Sequence, residues 1–366
     1  MRFQATDRKH FRLGGRSITA GGAQYLDYSG TFLEFTAVIS EASVHIKSFD
    51  FADVPELSAW MAVFTEKDCD RPEGLGYKDT PDRRFCLKGD SEGDYLFWKS
   101  EKPERVTIRL MTLSEAAFAK KGVMYFDLDT EENDPSTWPV PTKEEEKKIL
   151  FIGDSITCGY GNEGVVGVDP FRTSQENPVL AYAMTTAREL GAAYNLVSWS
   201  GIGVISGWID PPLDEPNDSW LMPEVSRYTD AGLAESLGIE KEVWDASRFD
   251  PNVIVVNLGT NDQSYTKNIP EREERFLDAY EAFLIRLREK YPKAVIAATF
   301  GIMGDELFPR VEAAVKRRNA AGDRNTVAFH FDVQKEEDGM GADFHPSMIT
   351  HRKAADALIR FLKAYL

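Results

Sequence analysis

The chain has 366 residues, with 43 Lys and Arg against 60 Asp and Glu and a formal net charge of −17. That balance excludes a basic nucleic-acid footprint and offers no attraction to a bare anionic membrane. Hydrophobic residues at 42% and charged residues at 28% exclude long disorder and low-complexity organisation. At roughly 150 residues per domain the length suggests about two domains.

The three cysteines, Cys69, Cys86 and Cys158, show no CxxC or Cys/His spacing for zinc. The N-terminus, MRFQATDRKHFRLGG, has no apolar signal-peptide core. The longest apolar runs, KILFIG, VIVVNLG and AVIAATF, are too short to span a bilayer. The expected location is therefore the cytoplasm.

Residues 1–126 read as β. TFLEFTAVIS alternates Leu33, Phe35, Ala37 and Ile39 on one face, and ERVTIRLMTL alternates Val106, Ile108 and Leu110. SVHIKSF, DYLFWKS and VMYFDLD are further short runs, and clusters such as GGRSITAGG and RPEGLG punctuate them. Many short alternating strands predict a β-sandwich or jelly roll. Residues 127–148 are acidic and Pro-containing and read as a linker or strap.

From 149 the pattern becomes βαβ. KILFIG is a short buried strand, and Asn177-Pro178 opens a helix that ends near Gly191. Asn195 to Val197 falls in a second strand. NVIVVNLG is a third, with the continuous apolar character of a buried parallel strand. A helix over 270–290 carries Phe276, Tyr280, Leu284 and Leu287 on one stripe. AVIAATF, a helix near 304–319, TVAFHFDV and a last helix over 347–366 complete the chain. The alternation predicts a doubly wound α/β unit over 149–366, with its ligand at the carboxyl ends of the strands.

Four segments at those strand ends carry chemistry. Gly153-Asp154-Ser155-Ile156-Thr157 follows the first strand and can present a serine hydroxyl. Ser200-Gly201-Ile202-Gly203 follows the second, where a glycine lets a backbone N–H approach a ligand. Gly259-Thr260-Asn261-Asp262 follows the third and offers an amide donor. Asp343-Phe344-His345-Pro346-Ser347 precedes the last helix. His10, His45 and His330 lie in loop or strand and His351 inside the last helix, so His345 is the one histidine with a carboxylate two residues away at such a junction. Serine is a poor nucleophile without an adjacent base, and a neutral imidazole supplies one near pH 7. An acid beside the imidazole fixes its tautomer.

These four segments resemble those of the SGNH (GDSL-like) hydrolases, whose blocks supply Ser, Gly, Asn and His. The resemblance implies Ser155 as nucleophile and first oxyanion donor. It implies Gly201 as the second donor, with Gly203 as the other reading, Asn261 as the third and His345 as the base. Most of that superfamily has Asp three residues before His; here Asp343 is two before. That spacing, the β-rich N-terminal part and the segment at 217–230, which ends LMPEVSRYTD, resemble carbohydrate esterase family two. The resemblance implies a serine esterase that removes acetyl groups from xylan- or mannan-derived oligosaccharides, with Asp343 as orienting acid and with no metal or organic cofactor. Some members rely on a Ser–His dyad instead. Trp199, Trp208, Trp220 and Trp244 are candidates for stacking on sugar rings, with Trp208, Phe344 and Asp154 expected at the substrate. The other readings are a lipid or aryl esterase of broader acyl range and a carbohydrate-binding protein without turnover. An acetylated oligosaccharide is the expected partner, and the oligomeric state is open. An unperturbed His345 would lose activity by protonation around pH 6.5.

Overall fold

The computed structural model describes all 366 residues. The alternating runs of the N-terminal part pair as one antiparallel sheet. Its strands are β1 (Arg2–Gln4), β2 (Arg12–Gly14), β3 (Thr19–Ala20), β4 (Ala23–Tyr25), β5 (Phe32–Phe49), β6 (Ala59–Lys67), β7 (Arg83–Leu87), β8 (Ser91–Thr112) and β9 (Lys120–Leu128). The order is β3-β4-β9-β5-β8-β6-β7, with β1 on β9 and β2 on β5. Two pairs of runs expected as separate strands are continuous. TFLEFTAVIS and SVHIKSF together form β5, and DYLFWKS and ERVTIRLMTL together form β8. Register shifts at Ile39/Glu41 and Ala42/Ser43 explain the continuity. A bulge bends a strand without ending its ladder, so the sheet curls around its own core. Leu33, Phe35, Ala37 and Ile39 of β5 meet Ile108, Leu110 and Phe126 there.

The opposite face of this sheet is also buried. Phe32, Ala62, Phe64 and Met111 pack in one apolar cluster with Ile149, Phe151 and Tyr194 of the second unit. The acidic segment between the units is held by backbone pairing, Thr36 and Val140 exchanging hydrogen bonds of 2.8 and 2.9 Å.

The second unit is a five-stranded parallel sheet of β10 (Lys147–Gly153), β11 (Ala192–Ser198), β12 (Val253–Asn257), β13 (Val295–Phe300) and β14 (Thr326–His330), in the order β11-β10-β12-β13-β14. Its helices are α1 (Ser155–Cys158), α2 (Tyr182–Leu190), α3 (Met222–Val225), α4 (Ala231–Ser236), α5 (Thr260–Thr266), α6 (Pro270–Lys290), α7 (Phe308–Ala320) and α8 (Met348–Leu362). Alternate residues of each central strand face opposite helix layers. Phe151, Val255 and Ala297 pack with α2 and α8, while Ile152, Val256 and Ala298 pack with the Phe276, Tyr280, Leu284 and Leu287 stripe of α6. The helix expected from Asn177 is interrupted. Asn177 caps a single 3-10 turn, Pro178–Leu180, and an extended Ala181 (φ −70°, ψ 157°) delays α2 to Tyr182.

The strand order reverses direction at β10, whose neighbours β11 and β12 lie on either side of it. A crevice opens at the carboxyl ends around such a switch point. The loops after β10, β11 and β12 all converge there.

Candidate active site

Gly153 ends β10 where a Cβ would stand 2.0 Å from the Thr157 hydroxyl oxygen. The Asp154 carboxylate then accepts the Ile156 N–H at 3.0 Å and caps α1. Ser155 is the first residue of that helix, so its N–H has no intrahelical acceptor. Gly201 lies in the turn after β11 with φ +77°. Its carbonyl accepts the Trp208 N–H at 2.8 Å, while its own N–H has no acceptor in the protein. Asn261 is the second residue of α5, behind Gly259, whose φ of +127° and 2.5 Å clearance to the Phe300 ring admit no side chain. The Asn261 amide donates one N–H to the Ile202 carbonyl at 2.8 Å. That bond fixes which end of the amide is nitrogen and leaves its second N–H free.

These groups line one cleft of about 520 Å³. Its walls are Ser155, Tyr160, Ser200, Gly201, Trp208, Asp210, Thr260, Asn261, Met303, Asp343 and His345. Gly203 is not among them. It packs inward, with Ser206 and Asp262 occupying the space of a Cβ, so Gly201 is the glycine that reaches the cleft.

His345 Nε2 lies 2.8 Å from Ser155 Oγ. Its Nδ1 lies 3.2 Å from the backbone carbonyl of Asp343. A carbonyl can only accept, so Nδ1 carries the proton and Nε2 is left to accept from serine. The expected role of the Asp343 carboxylate is therefore corrected. Asp343 sits in the left-handed region, φ 50° and ψ 39°, and the imidazole meets its backbone carbonyl rather than its carboxylate. The carboxylate instead accepts the Tyr160 hydroxyl at 3.0 Å. Asp343→Asn keeps this backbone geometry, because Asn tolerates the left-handed region. Turnover of an aryl acetate by that variant is expected to stay within about tenfold of the parent, against about 10⁴-fold for loss of a side-chain orienting acid.

Tyr160 covers one face of His345, ring centroids 4.3 Å apart, and Phe171 stacks on Tyr160 at 3.5 Å. Burial behind these rings lowers the His345 pKa to about 4, opposed by its contacts with Asp343. Only the neutral imidazole can take the serine proton, so activity falls as pH drops through that lowered value. The acid limb of kcat/KM is expected near pH 4 rather than 6.5, and a pH profile with an aryl acetate measures it. A midpoint at 6.5 or above would contradict this burial effect.

The remaining sequence candidates fall in different places. Trp208 is 51% exposed on the cleft wall, its indole N–H held by Asp210 at 3.0 Å. Phe344 is 65% exposed and stands outside the cleft wall, its carbonyl tied to the Gln334 amide. Asp154 is corrected as a substrate contact: it is fully buried and its carboxylate serves the helix cap. Trp199 and Trp220 stack on each other against the core, and Trp244 is buried with its N–H on the Tyr291 hydroxyl.

Two acids that sequence reasoning passed over shape the site from behind. Asp262, next to Asn261, is fully buried and accepts the backbone N–H groups of Val204, Ile205 and Ser206 at 2.7 to 3.1 Å. Burial raises its pKa to about 6, against the lowering effect of those N–H groups. It locks the loop after Gly201 onto α5. Its position inside the GTND block was the one available signal. The second acid, Glu115, comes from the antiparallel unit and carries no local signal.

A serine with an imidazole on its hydroxyl, at the switch point of a five-stranded parallel α/β sheet, defines a hydrolase-like class of site. The family model for GDSL-like lipases/acylhydrolases matches residues 151–353, more than half of the chain, and the chain belongs to that family. It is 35% identical over 226 residues to the cellulase/esterase CelE of Acetivibrio thermocellus, over 60% of this chain and 26% of that protein. It is 30% identical over 217 residues to an acetylxylan esterase / glucomannan deacetylase of Cellvibrio japonicus, over 58% of this chain and 55% of that one. The matched stretches thus span about a quarter and about half of those relatives. The solved structure of a family two carbohydrate esterase from Clostridium thermocellum in complex with cellohexaose superposes with a TM-score of 0.78 at 28% identity, covering 97% of this chain and 98% of that one.

Proposed function

We propose that the protein is a serine carbohydrate esterase that removes O-acetyl groups from xylan- or mannan-derived oligosaccharides through an acyl-enzyme. The observation that carries the reading is the 2.8 Å contact of Ser155 Oγ with His345 Nε2, in a cleft that also presents Gly201 and Asn261. The similarity to proteins named acetylxylan esterase and glucomannan deacetylase supports the substrate class.

In this reading Ser155 Oγ attacks the acetyl carbonyl as its proton passes to His345 Nε2. The negative charge that develops on the carbonyl oxygen meets the N–H groups of Ser155 and Gly201 and the free N–H of Asn261. Preorganised donors of this kind are worth about 10²–10³ in rate each. His345 then protonates the departing sugar oxygen, and the C–O bond to the sugar breaks. Water attacks the acetyl-serine with His345 as base, and acetate leaves as the proton returns to Ser155 Oγ. The Asp343 carbonyl holds the imidazole tautomer and accepts from the imidazolium N–H. Trp208 offers an aromatic face for a sugar ring at the mouth of the cleft. We read residues 1–126 as a jelly-roll β-sandwich and 149–366 as the catalytic unit.

Incubation with acetylated xylo- and manno-oligosaccharides tests the reading. Acetate release with a matching loss of acetyl mass from the sugar is expected. A nitrophenyl ester series in which octanoyl exceeds acetyl would favour a lipid or aryl esterase instead. Sugar affinity without acetate release would favour a binding protein.

A further inference from the structure

Glu115 lies in the connection between β8 and β9, yet its side chain is wholly buried against the α/β unit. There its carboxylate meets two segments at once. Oε2 accepts the Ser200 N–H at 2.6 Å, and Oε1 accepts the Ser200 hydroxyl. The Cys158 thiol reaches Oε2 at 3.6 Å. Ser200 immediately precedes Gly201, and Cys158 closes the single turn of α1 that Ser155 opens. One carboxylate thus joins the two stretches whose backbone N–H groups face the cleft. Holding Ser200 at both its N–H and its hydroxyl fixes the residue, and with it the planar peptide that carries the Gly201 N–H.

A buried carboxylate persists only where its lone pairs are filled. Here two Ser200 donors and a thiol fill them, and they oppose the upward push of burial on the carboxyl. Glu176 stands alongside, with acceptor atoms of Glu115, Cys158 and Glu176 within 4.8 Å of one another. Burial and the Glu115 charge push Glu176 well above the usual carboxylate range, while the Ser200 N–H and hydroxyl both donate to Glu115. The buried Lys121 ammonium pins the connection by donating to the Ser114 and Glu115 carbonyls at 2.9 and 3.4 Å.

We propose that Glu115 is a positioning residue for the oxyanion hole, contributed by the antiparallel unit. Its carboxylate holds Ser200 and α1 so that the Gly201 and Ser155 N–H groups converge on one point. The N-terminal unit therefore acts on the chemistry without touching the substrate. This inference rests on the esterase reading above.

The test uses the full chain. Glu115→Gln keeps the side-chain shape but replaces one acceptor oxygen with an N–H₂ group that faces a donor. Its kcat for an aryl acetate is expected to fall about 10- to 100-fold, with KM changed by less than about threefold. Affinity for a boronic acid, which forms a tetrahedral adduct on Ser155, should fall by the same factor. Ser200→Ala removes only the hydroxyl arm and should lose less. Because both changes act on one network, the double variant should lose no more than Glu115→Gln alone. A kcat within about twofold of the parent, a rise confined to KM, or losses that multiply in the double variant would overturn the proposal. Where Glu115→Gln does not fold, Ser200→Ala carries the same kcat and boronate readouts. A parent protein without turnover overturns the esterase reading and this inference with it. Turnover in the parent with unchanged variants overturns this inference alone.

Discussion

Replacing Ser155 with Ala is expected to lower kcat for an aryl acetate on the order of 10⁵- to 10⁶-fold while the protein stays folded. The effect is large because the hydroxyl is the atom that forms the acyl bond. His345 Nε2 has Ser155 Oγ as its one hydrogen-bond partner in the protein, so no second nucleophile waits beside the base. The stability change is expected within about 1 kcal/mol, because a single hydroxyl is removed and the cleft lets water reach the imidazole. Steady-state kinetics and a urea denaturation curve on the same preparation separate the two effects. A variant that unfolds, or one that retains a tenth or so of parent turnover, would contradict the assignment of Ser155.

The second large effect is expected at a residue that touches no substrate. Asp262→Ala strips the acceptor from three buried N–H groups, those of Val204, Ile205 and Ser206. An unpaired buried donor costs about 1–3 kcal/mol. Removal of a buried carboxylate returns some of that, since burial already disfavours its charge. A net loss of about 3 kcal/mol in unfolding free energy is expected. Turnover should fall at least about 10²-fold as well, because the freed loop carries Gly201 and the Ile202 carbonyl that orients Asn261. Asp262→Asn keeps one acceptor oxygen and should lose less of both. Urea midpoints and kcat for the two variants check the ranking. Equal and small effects for both would show that the loop holds its shape without this carboxylate.

The parts of the site that were legible in the sequence share one property. Ser155, Gly201 and Asn261 each follow an apolar run that can only be a buried strand, and the carboxyl ends of parallel strands lie side by side. Order along the chain then implies nearness in space. His345 was legible through its junction with α8. Asp343 was not, because the imidazole meets its backbone carbonyl while its carboxylate meets Tyr160. Asp154 looked available for the same reason, since adjacency to Ser155 says nothing about which side of the turn it faces. Glu115 is forty residues upstream of Ser155 and belongs to the other unit, so no local pattern connects it with Ser200. In the fold, the pleat alternation of Leu33 to Ile39 was readable, but the bulges that join it to Val44 and Ile46 were not. Polar residues at Ser40 and Glu41 look like a turn from sequence alone, and only cross-strand pairing keeps them in the sheet.

The most direct measurement is the mass of the protein during turnover of an aryl acetate, with proteolytic mapping of any modified peptide. An activated leaving group makes formation of the acyl-enzyme fast and its hydrolysis limiting, so the intermediate accumulates. The account predicts one added acetyl group, located on Ser155 and absent from Ser155→Ala. Sustained turnover with the acetyl group on another residue, or with Ser155→Ala acetylated as readily as the parent, would contradict it.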